Sequence, residues 1–175
     1  GIYPVYDPAN DNTFPDKYAS PDAVGFTANF YNPVATANYY DSQNENYQVL
    51  TNFYAQFQLL PEKLNFRTSY SYDYSAIRGR EYIAPYYVSS WQQQAVSELT
   101  KKDTNYYNYI WDNILTYNNQ WGNHNFGAML GYSMRQQQYR YMWGKANNVP
   151  EGKDEWLYLS QGNAEGVTLG DDGYC

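Results

Sequence analysis

From Leu64 to Ser75 the chain alternates without a break. Leu64, Phe66, Thr68, Tyr70, Tyr72 and Tyr74 occupy the even positions, and Asn65, Arg67, Ser69, Ser71, Asp73 and Ser75 the odd ones. Successive side chains of a strand point to opposite faces, so this order makes one aromatic face and one hydrophilic face. A helix would scatter both sets round its circumference. The stretch reads as a two-faced strand. Residues 47–59 repeat the pattern in the opposite phase, with Tyr47, Val49, Thr51, Phe53, Ala55, Phe57 and Leu59 against Gln48, Leu50, Asn52, Tyr54, Gln56 and Gln58. The two runs are joined by Leu60-Pro61-Glu62-Lys63, a short turn.

A second pair follows. In 105–121, Tyr107, Tyr109, Trp111, Leu115 and Tyr117 share one face, with Asn108, Asp112, Thr116 and Asn118 opposite; Ile110, Asn113 and Ile114 interrupt the pattern. After Gly122-Asn123-His124, the residues Phe126, Ala128, Leu130, Tyr132 and Met134 alternate with Gly127, Met129, Gly131, Ser133 and Arg135. Between and around the pairs lie three long segments. Residues 1–44 hold Pro4, Pro8, Pro15, Pro21 and Pro33 and read as an irregular loop. Residues 76–104 lose the alternation and are compatible with a short helix over 90–102. Residues 143–175 are rich in Gly, Asn and Asp.

The expected fold is therefore all-β, an antiparallel meander of long strands, divided as loop 1–44, hairpin 45–75, loop 76–104, hairpin 105–142 and loop 143–175. Strands of a dozen residues exceed the roughly 5–6 of globular sheets and match the ~9–11 that cross an outer membrane. Connections that alternate between very short and very long mark a transmembrane β-barrel, with turns on the periplasmic side and loops outside. Tyrosines 70, 72 and 74, with 106, 107 and 109, would sit at the outer aromatic girdle. The wet face, with Gln56, Arg67, Asp73, Asp112 and Thr116, would line the lumen. Four strands cannot close a barrel, so the chain is expected to be a section of a larger one. Its ends agree with that expectation: Gly1 is no initiator, and Cys175 follows an Asp-Asp-Gly turn. The other β reading is a soluble extracellular carbohydrate-binding β-sandwich, with the aromatic face as core; long strands and asymmetric connections speak against it.

Composition narrows the partners. Eleven Lys and Arg against eighteen Asp and Glu give a net charge of −7, so nucleic acid and basic-helix membrane binding are disfavoured. Aromatic residues make up 20% of the chain, far from the profile of a disordered segment. No run approaches the ~18 apolar residues of a transmembrane helix. A single Cys permits neither an internal disulfide nor a Cys-based metal site.

Certain stretches are more specific. Asn32-Pro33-Val34-Ala35 precedes the hairpin around Pro61-Glu62-Lys63-Leu64-Asn65-Phe66-Arg67-Thr68. Asp112-Asn113-Ile114-Leu115-Thr116-Tyr117 leads to Trp121-Gly122-Asn123-His124-Asn125-Phe126 and Leu130-Gly131-Tyr132, with Leu157-Tyr158-Leu159-Ser160 later. In this order they resemble the middle of the barrel in SusC-like (SusC/RagA) TonB-dependent outer-membrane transporters of Bacteroidetes. The resemblance covers most of the chain. It implies a barrel of about 22 strands with a plug domain. It also implies import of oligosaccharides or peptides, drive from the TonB complex and a SusD-like lipoprotein lid. The plug and the TonB-contacting segment are not in this sequence, so it would supply wall and loops.

Catalysis finds little to stand on. His124 is the only histidine and lies in a tight turn, and no G-x-S-x-G, H-E-x-x-H or phosphate-binding glycine loop occurs. Asp73 and Asp112 are the carboxylates on regular strands, and they suit a hydrated lumen better than a glycosidase pair. Calcium could be offered Asp7, Asn10, Asp11, Asn12 and Asp16, or Asp171 and Asp172, but neither run has EF-hand spacing, and both read as turn formers. No metal and no cofactor are expected. Ligand contact is expected from loop aromatics, which stack on the apolar faces of sugar rings: Tyr86, Tyr87, Trp91, Trp143 and Trp156. Gln92–Gln94, Arg78, Arg80 and Asn147-Asn148 stand near them in sequence.

Overall fold

A computed structural model describes residues 4–10, 13–20, 25, 30–151, 158–163 and 168–174, with the backbone alone at Asp172 and Tyr174. The elements are α1 (Pro33–Tyr39), β1 (Tyr40–Leu60), β2 (Leu64–Ile83), β3 (Tyr86–Tyr87), β4 (Gln93–Gln94), β5 (Glu98–Trp121), β6 (His124–Asn147) and β7 (Thr168–Tyr174), with a 3-10 turn at Leu159–Gln161 before β7. One sheet runs β1-β2-β5-β6-β7, and β3 pairs with β4. The protein is an all-β antiparallel meander.

The strands outrun the alternation that announces them. β1, β2, β5 and β6 have 21, 20, 24 and 24 residues, about 65–80 Å at the rise of an extended strand. Their extensions carry polar side chains on both faces, as in Arg78-Gly79-Arg80-Glu81, so the period of two is lost there while backbone pairing continues. The helix expected over 90–102 does not form. Val88 N and Ser89 N both donate to the Gln92 carbonyl, at 3.0 and 3.2 Å, closing a tight β3–β4 hairpin. From Glu98 onward the chain belongs to β5, and Leu99 points into a buried cluster. Likewise 1–44 is not irregular throughout, since it contains α1 and the start of β1. The last expected loop contains the end of β6 and a fifth sheet strand, β7.

Two turns set the hairpins. Glu62 has φ of 61° and Lys63 N returns to the Leu60 carbonyl at 3.1 Å. Gly122 has φ of 59°, a conformation that glycine enters without steric cost. His124 opens β6 immediately after that turn.

By contacts the chain divides into two compact units. The first comprises Gly1–Glu45, Arg78–Lys102 and Met142–Gly170. It holds two buried clusters, one of Tyr82, Leu99, Ala146 and Val149, the other of Tyr18, Ala35 and Val88. The second comprises Asn46–Ile77, Asp103–Tyr141 and Asp171–Cys175. Among the described residues, Ala76 is its one buried hydrophobic side chain. Phe53 is 68% exposed and Leu130 71%, so this unit has a sheet but no core beneath it.

The first unit is pinned by a polar clamp. Asn32 N donates to Gln92 Oε1 at 2.6 Å and Gln92 Nε2 donates back to the Asn32 carbonyl at 2.9 Å. The Asn32 amide also donates to the carbonyls of Val5 and Ala19 at 2.9 and 3.2 Å. Its Oδ1 accepts from Val34 N and Ala35 N, capping α1, with Pro33 at the first helical position where a missing N–H costs nothing. Asn32 and Gln92 are 1% and 3% exposed, so the two bonds between them and the bond to the Ala19 carbonyl are made away from water.

Candidate functional site

In the second unit, cross-strand contacts fix which side chains share a face. Phe57 stacks near Phe66, and Tyr72 meets Tyr109, Tyr74 meets Tyr107 and Tyr117 meets Phe126 at tilted angles, with ring centroids 5.0–6.4 Å apart. Trp111 joins the same face, its indole N–H donating to Thr68 Oγ1 at 3.0 Å. These pairs join the aromatic faces of β1, β2, β5 and β6 into one surface. Tyr47, Val49, Phe53, Trp111, Trp121, Phe126 and Leu130 on it are exposed. A continuous exposed apolar surface of this kind marks a contact with lipid or protein.

The opposite face is a polar ladder. Asp73 accepts from Gln48 Nε2 at 3.1 Å and from Asn108 Nδ2 at 3.4 Å. Asn52 donates to Ser71 Oγ at 2.9 Å, and Ser75 Oγ donates to Asn46 Oδ1 at 3.1 Å. Asp112 accepts from Ser133 Oγ at 2.5 Å. Arg67 places its guanidinium 5.0 Å from the Tyr54 ring centre, a cation–π contact. Gln56 is exposed on β1 and Thr116 half-buried on β5. The five residues expected to line a lumen thus stand on strand positions of one alternation phase: Gln56 on β1, Arg67 and Asp73 on β2, Asp112 and Thr116 on β5.

Tyr106 does not stand with Tyr107 and Tyr109. Its ring centre is 5.2 Å from that of Tyr139, and Tyr139 stacks at 6.5 Å and 11° on Tyr141. Tyr107 instead meets Tyr74 and lies 5.9 Å beneath the Arg140 guanidinium. Adjacent residues of a strand point to opposite faces, so Tyr106 belongs to the polar side and leaves the expected girdle. The polar face carries its own aromatic group. Alternation within β5 alone contained that signal, since Tyr106 is in phase with Asn108 and Asp112.

The loop aromatics are engaged by different neighbours. Tyr86 stacks on Tyr39 at 5.1 Å and 5°, against the buried cluster of Tyr18, Ala35 and Val88. Burial, then the neighbouring Tyr31, raises its phenol above the ordinary range. Tyr87 pairs with Gln93 across the β3–β4 hairpin and is half-buried. Trp91, at the tip of that hairpin, is 55% exposed. Trp143 is covered by β7 at Gly170, where a methyl group would meet the indole nitrogen. Trp156 lies outside the described residues, as do Asp11 and Asn12. Gln92 is spent on the clamp with Asn32 and is closed to ligand. Asp7 accepts from Ala9 N, Asn10 donates to the carbonyls of Tyr18 and Val88, and Asp16 accepts from the Tyr39 hydroxyl.

Charge in the first unit is paired across strands. Arg80 meets Asp41 at 2.9 Å, and Lys145 meets Glu98 at 2.7 Å. Lys101 lies 5.4 Å from the Tyr158 ring centre, and burial, then Arg80, lowers its pKa below the ordinary 10.5. A groove of about 480 Å³ in the second unit is bounded by Glu62, Lys63, Asn118, Asn119, Gln120 and Phe126 near the two turns.

No family model and no curated protein matches the sequence. Among solved structures the chain is similar to one described as the structure of the RagAB peptide transporter, with a TM-score of 0.66 and 15% identity over 81% of this chain. The chain spans 16% of that transporter chain. At that identity the likeness is one of fold.

Proposed function

We propose that the chain forms wall and loops of a TonB-dependent outer-membrane importer, with its aromatic face toward lipid and its polar face toward a hydrated lumen. One observation carries this reading: the second unit has two opposite exposed faces, one apolar and one mainly polar, and almost no buried core. Water on both sides would make the aromatic face an aggregation surface, whereas lipid on one side and water on the other suit both faces. From Leu64 to Tyr74 the apolar face of β2 extends about eleven residues, the length of a tilted transmembrane strand. Tyr70, Tyr72, Tyr74, Tyr107 and Tyr109 make the aromatic girdle at its loop-side border. The likeness in fold to a transporter supports the same reading.

The cargo is an oligosaccharide or a peptide. The work is binding and gated passage, with no bond broken and no cofactor required. Trp91, exposed at the tip of the β3–β4 hairpin, meets cargo or a SusD-like lipoprotein lid, and Tyr87 and Trp156 are proposed to contribute, whereas Tyr86 and Trp143 are taken up by Tyr39 and β7. The inner-membrane TonB complex supplies the energy.

The test is fractionation of cells making the full chain, probed with an antibody to the loop at 84–97. The expected result is the antigen in the outer membrane, with the epitope accessible on intact cells. A soluble antigen released with the cell contents would refute the proposal.

A further inference from the structure

On the polar face, which also carries the single exposed side chains Leu50, Tyr54 and Met129, three tyrosines of β5 and β6 cluster together. Tyr106, Tyr139 and Tyr141 form a contiguous half-buried platform, with ring centres 5.2 and 6.5 Å apart. Asn108 follows Tyr106 on the same side of β5, about 7 Å along the strand. It donates to Asp73, which also accepts from Gln48. Tyr139 and Tyr141 are near parallel at 11°, with Tyr106 inclined by 46° to Tyr139 as a side wall, and such an aromatic surface beside an anchored carboxylate is the combination that a sugar ring requires. The C–H face of a pyranose packs on the π-face, and its hydroxyls need acceptors held in place. Each oxygen of Asp73 accepts one bond from the protein and keeps a further lone pair for a hydroxyl.

We propose that Tyr106, Tyr139 and Tyr141, with Asp73 oriented by Gln48 and Asn108, form a wall subsite for a neutral oligosaccharide. The inference rests on the reading of the polar face as a lumen, and moves substrate contact from the loops to the barrel wall. Charge and backbone favour a neutral sugar. Asp73 and Asp112 on this face are matched by Arg67 and Arg135, so it carries no net charge to attract an anion or a cation. An extended peptide adds to a free strand edge, and β2, β5 and β6, which carry five of these six residues, are flanked by neighbours on both sides.

The experiment uses the full chain in detergent, with maltohexaose and xylohexaose as probes, an uncharged Gly-Ser hexapeptide as control, and titration calorimetry as readout. At least one hexaose is expected to bind saturably. Tyr106→Leu and Tyr139→Leu should weaken it about tenfold, the scale of one lost aromatic contact. Tyr106→Phe, which keeps the ring, should bind as the parent does. Unchanged binding in the Leu variants, binding by the peptide alone, or no hexaose binding would each overturn the subsite. In parallel, Gln56→Cys on the polar face and Phe57→Cys on the aromatic face are exposed in cells to a membrane-impermeant maleimide. Labelling at 56 and protection at 57 keep the lumen reading whatever the sugars do. The reverse pattern removes that reading and the subsite with it.

Discussion

Replacing Asn32 by Ala should loosen the first unit by an amount that its hydrogen bonds allow to be worked out. The side chain caps α1 through Val34 N and Ala35 N, and a lost cap costs about 1 kcal/mol. It also donates to the carbonyls of Val5 and Ala19; the Ala19 carbonyl is left without this donor, at about 1–1.5 kcal/mol, while the Val5 carbonyl keeps Ala19 N and the lost bond there costs about 0.5–1 kcal/mol. The sum is about 2.5–3.5 kcal/mol, a factor of about 10² in the opening equilibrium of this segment. The backbone bond from Asn32 N to Gln92 survives the substitution, so the loss is confined to the side chain. Hydrogen exchange reads it directly. Asp7 N and Ala19 N, which donate to the carbonyls of Lys17 and Val5, should lose protection by that factor while amides at the centres of β2 and β5 are unchanged. Asn32→Ser, which retains a cap but cannot reach both carbonyls, should fall between. Protection at Ala19 within threefold of the parent in Asn32→Ala would show that the clamp does not hold this segment, and the reasoning fails.

Further outcomes follow from single groups. Lys101 binds fewer protons folded than unfolded at pH values between its lowered pKa and 10.5, so stability should rise with pH through that window. Its acylation rate should show a midpoint below 10.5, and Arg80→Gln should move the midpoint only partway back, because burial is the larger cause. Gly170→Ala should destabilise the seating of β7 by about 1–3 kcal/mol through the clash with the Trp143 indole. Pairing it with Trp143→Ala should remove most of that penalty, and a double-mutant cycle in urea unfolding that shows additivity would count against it. Glu62→Gly should stabilise its turn by about 0.5–1 kcal/mol and Gly122→Ala should destabilise its own, both being at positive φ. Equal unfolding midpoints for the two variants would contradict the turn geometry.

Much of the sheet was legible because alternation is a local property. Leu64 to Ser75 declares its two faces within one strand, and Asp73 and Arg67 could be placed on the same side from position alone. The extensions of β1, β2, β5 and β6 were not legible, because their side chains are polar on both faces and carry no period. Residues 90–102 misled for a related reason. Polar and apolar residues there satisfy helical spacing as readily as a hairpin, and the contacts that decide are distant: Gln92 with Asn32, Ser97 with the Val149 carbonyl, and Leu99 with Tyr82 and Ala146. The loop aromatics were found by type, and type does not distinguish Tyr86, packed on Tyr39, from the exposed Trp91.

What the amino-acid order determined by itself is the two-faced strand. A period of two leaves each side chain one of two directions, so an aromatic and a polar face follow from covalent geometry. Only the tertiary structure decided which residues of different strands meet. Register brings Asp73 between Gln48 and Asn108, and sets Tyr106 beside Tyr139 rather than with Tyr107's partners. Those pairings depend on turn geometry and on burial summed across strands far apart in sequence, and no window along one strand contains them.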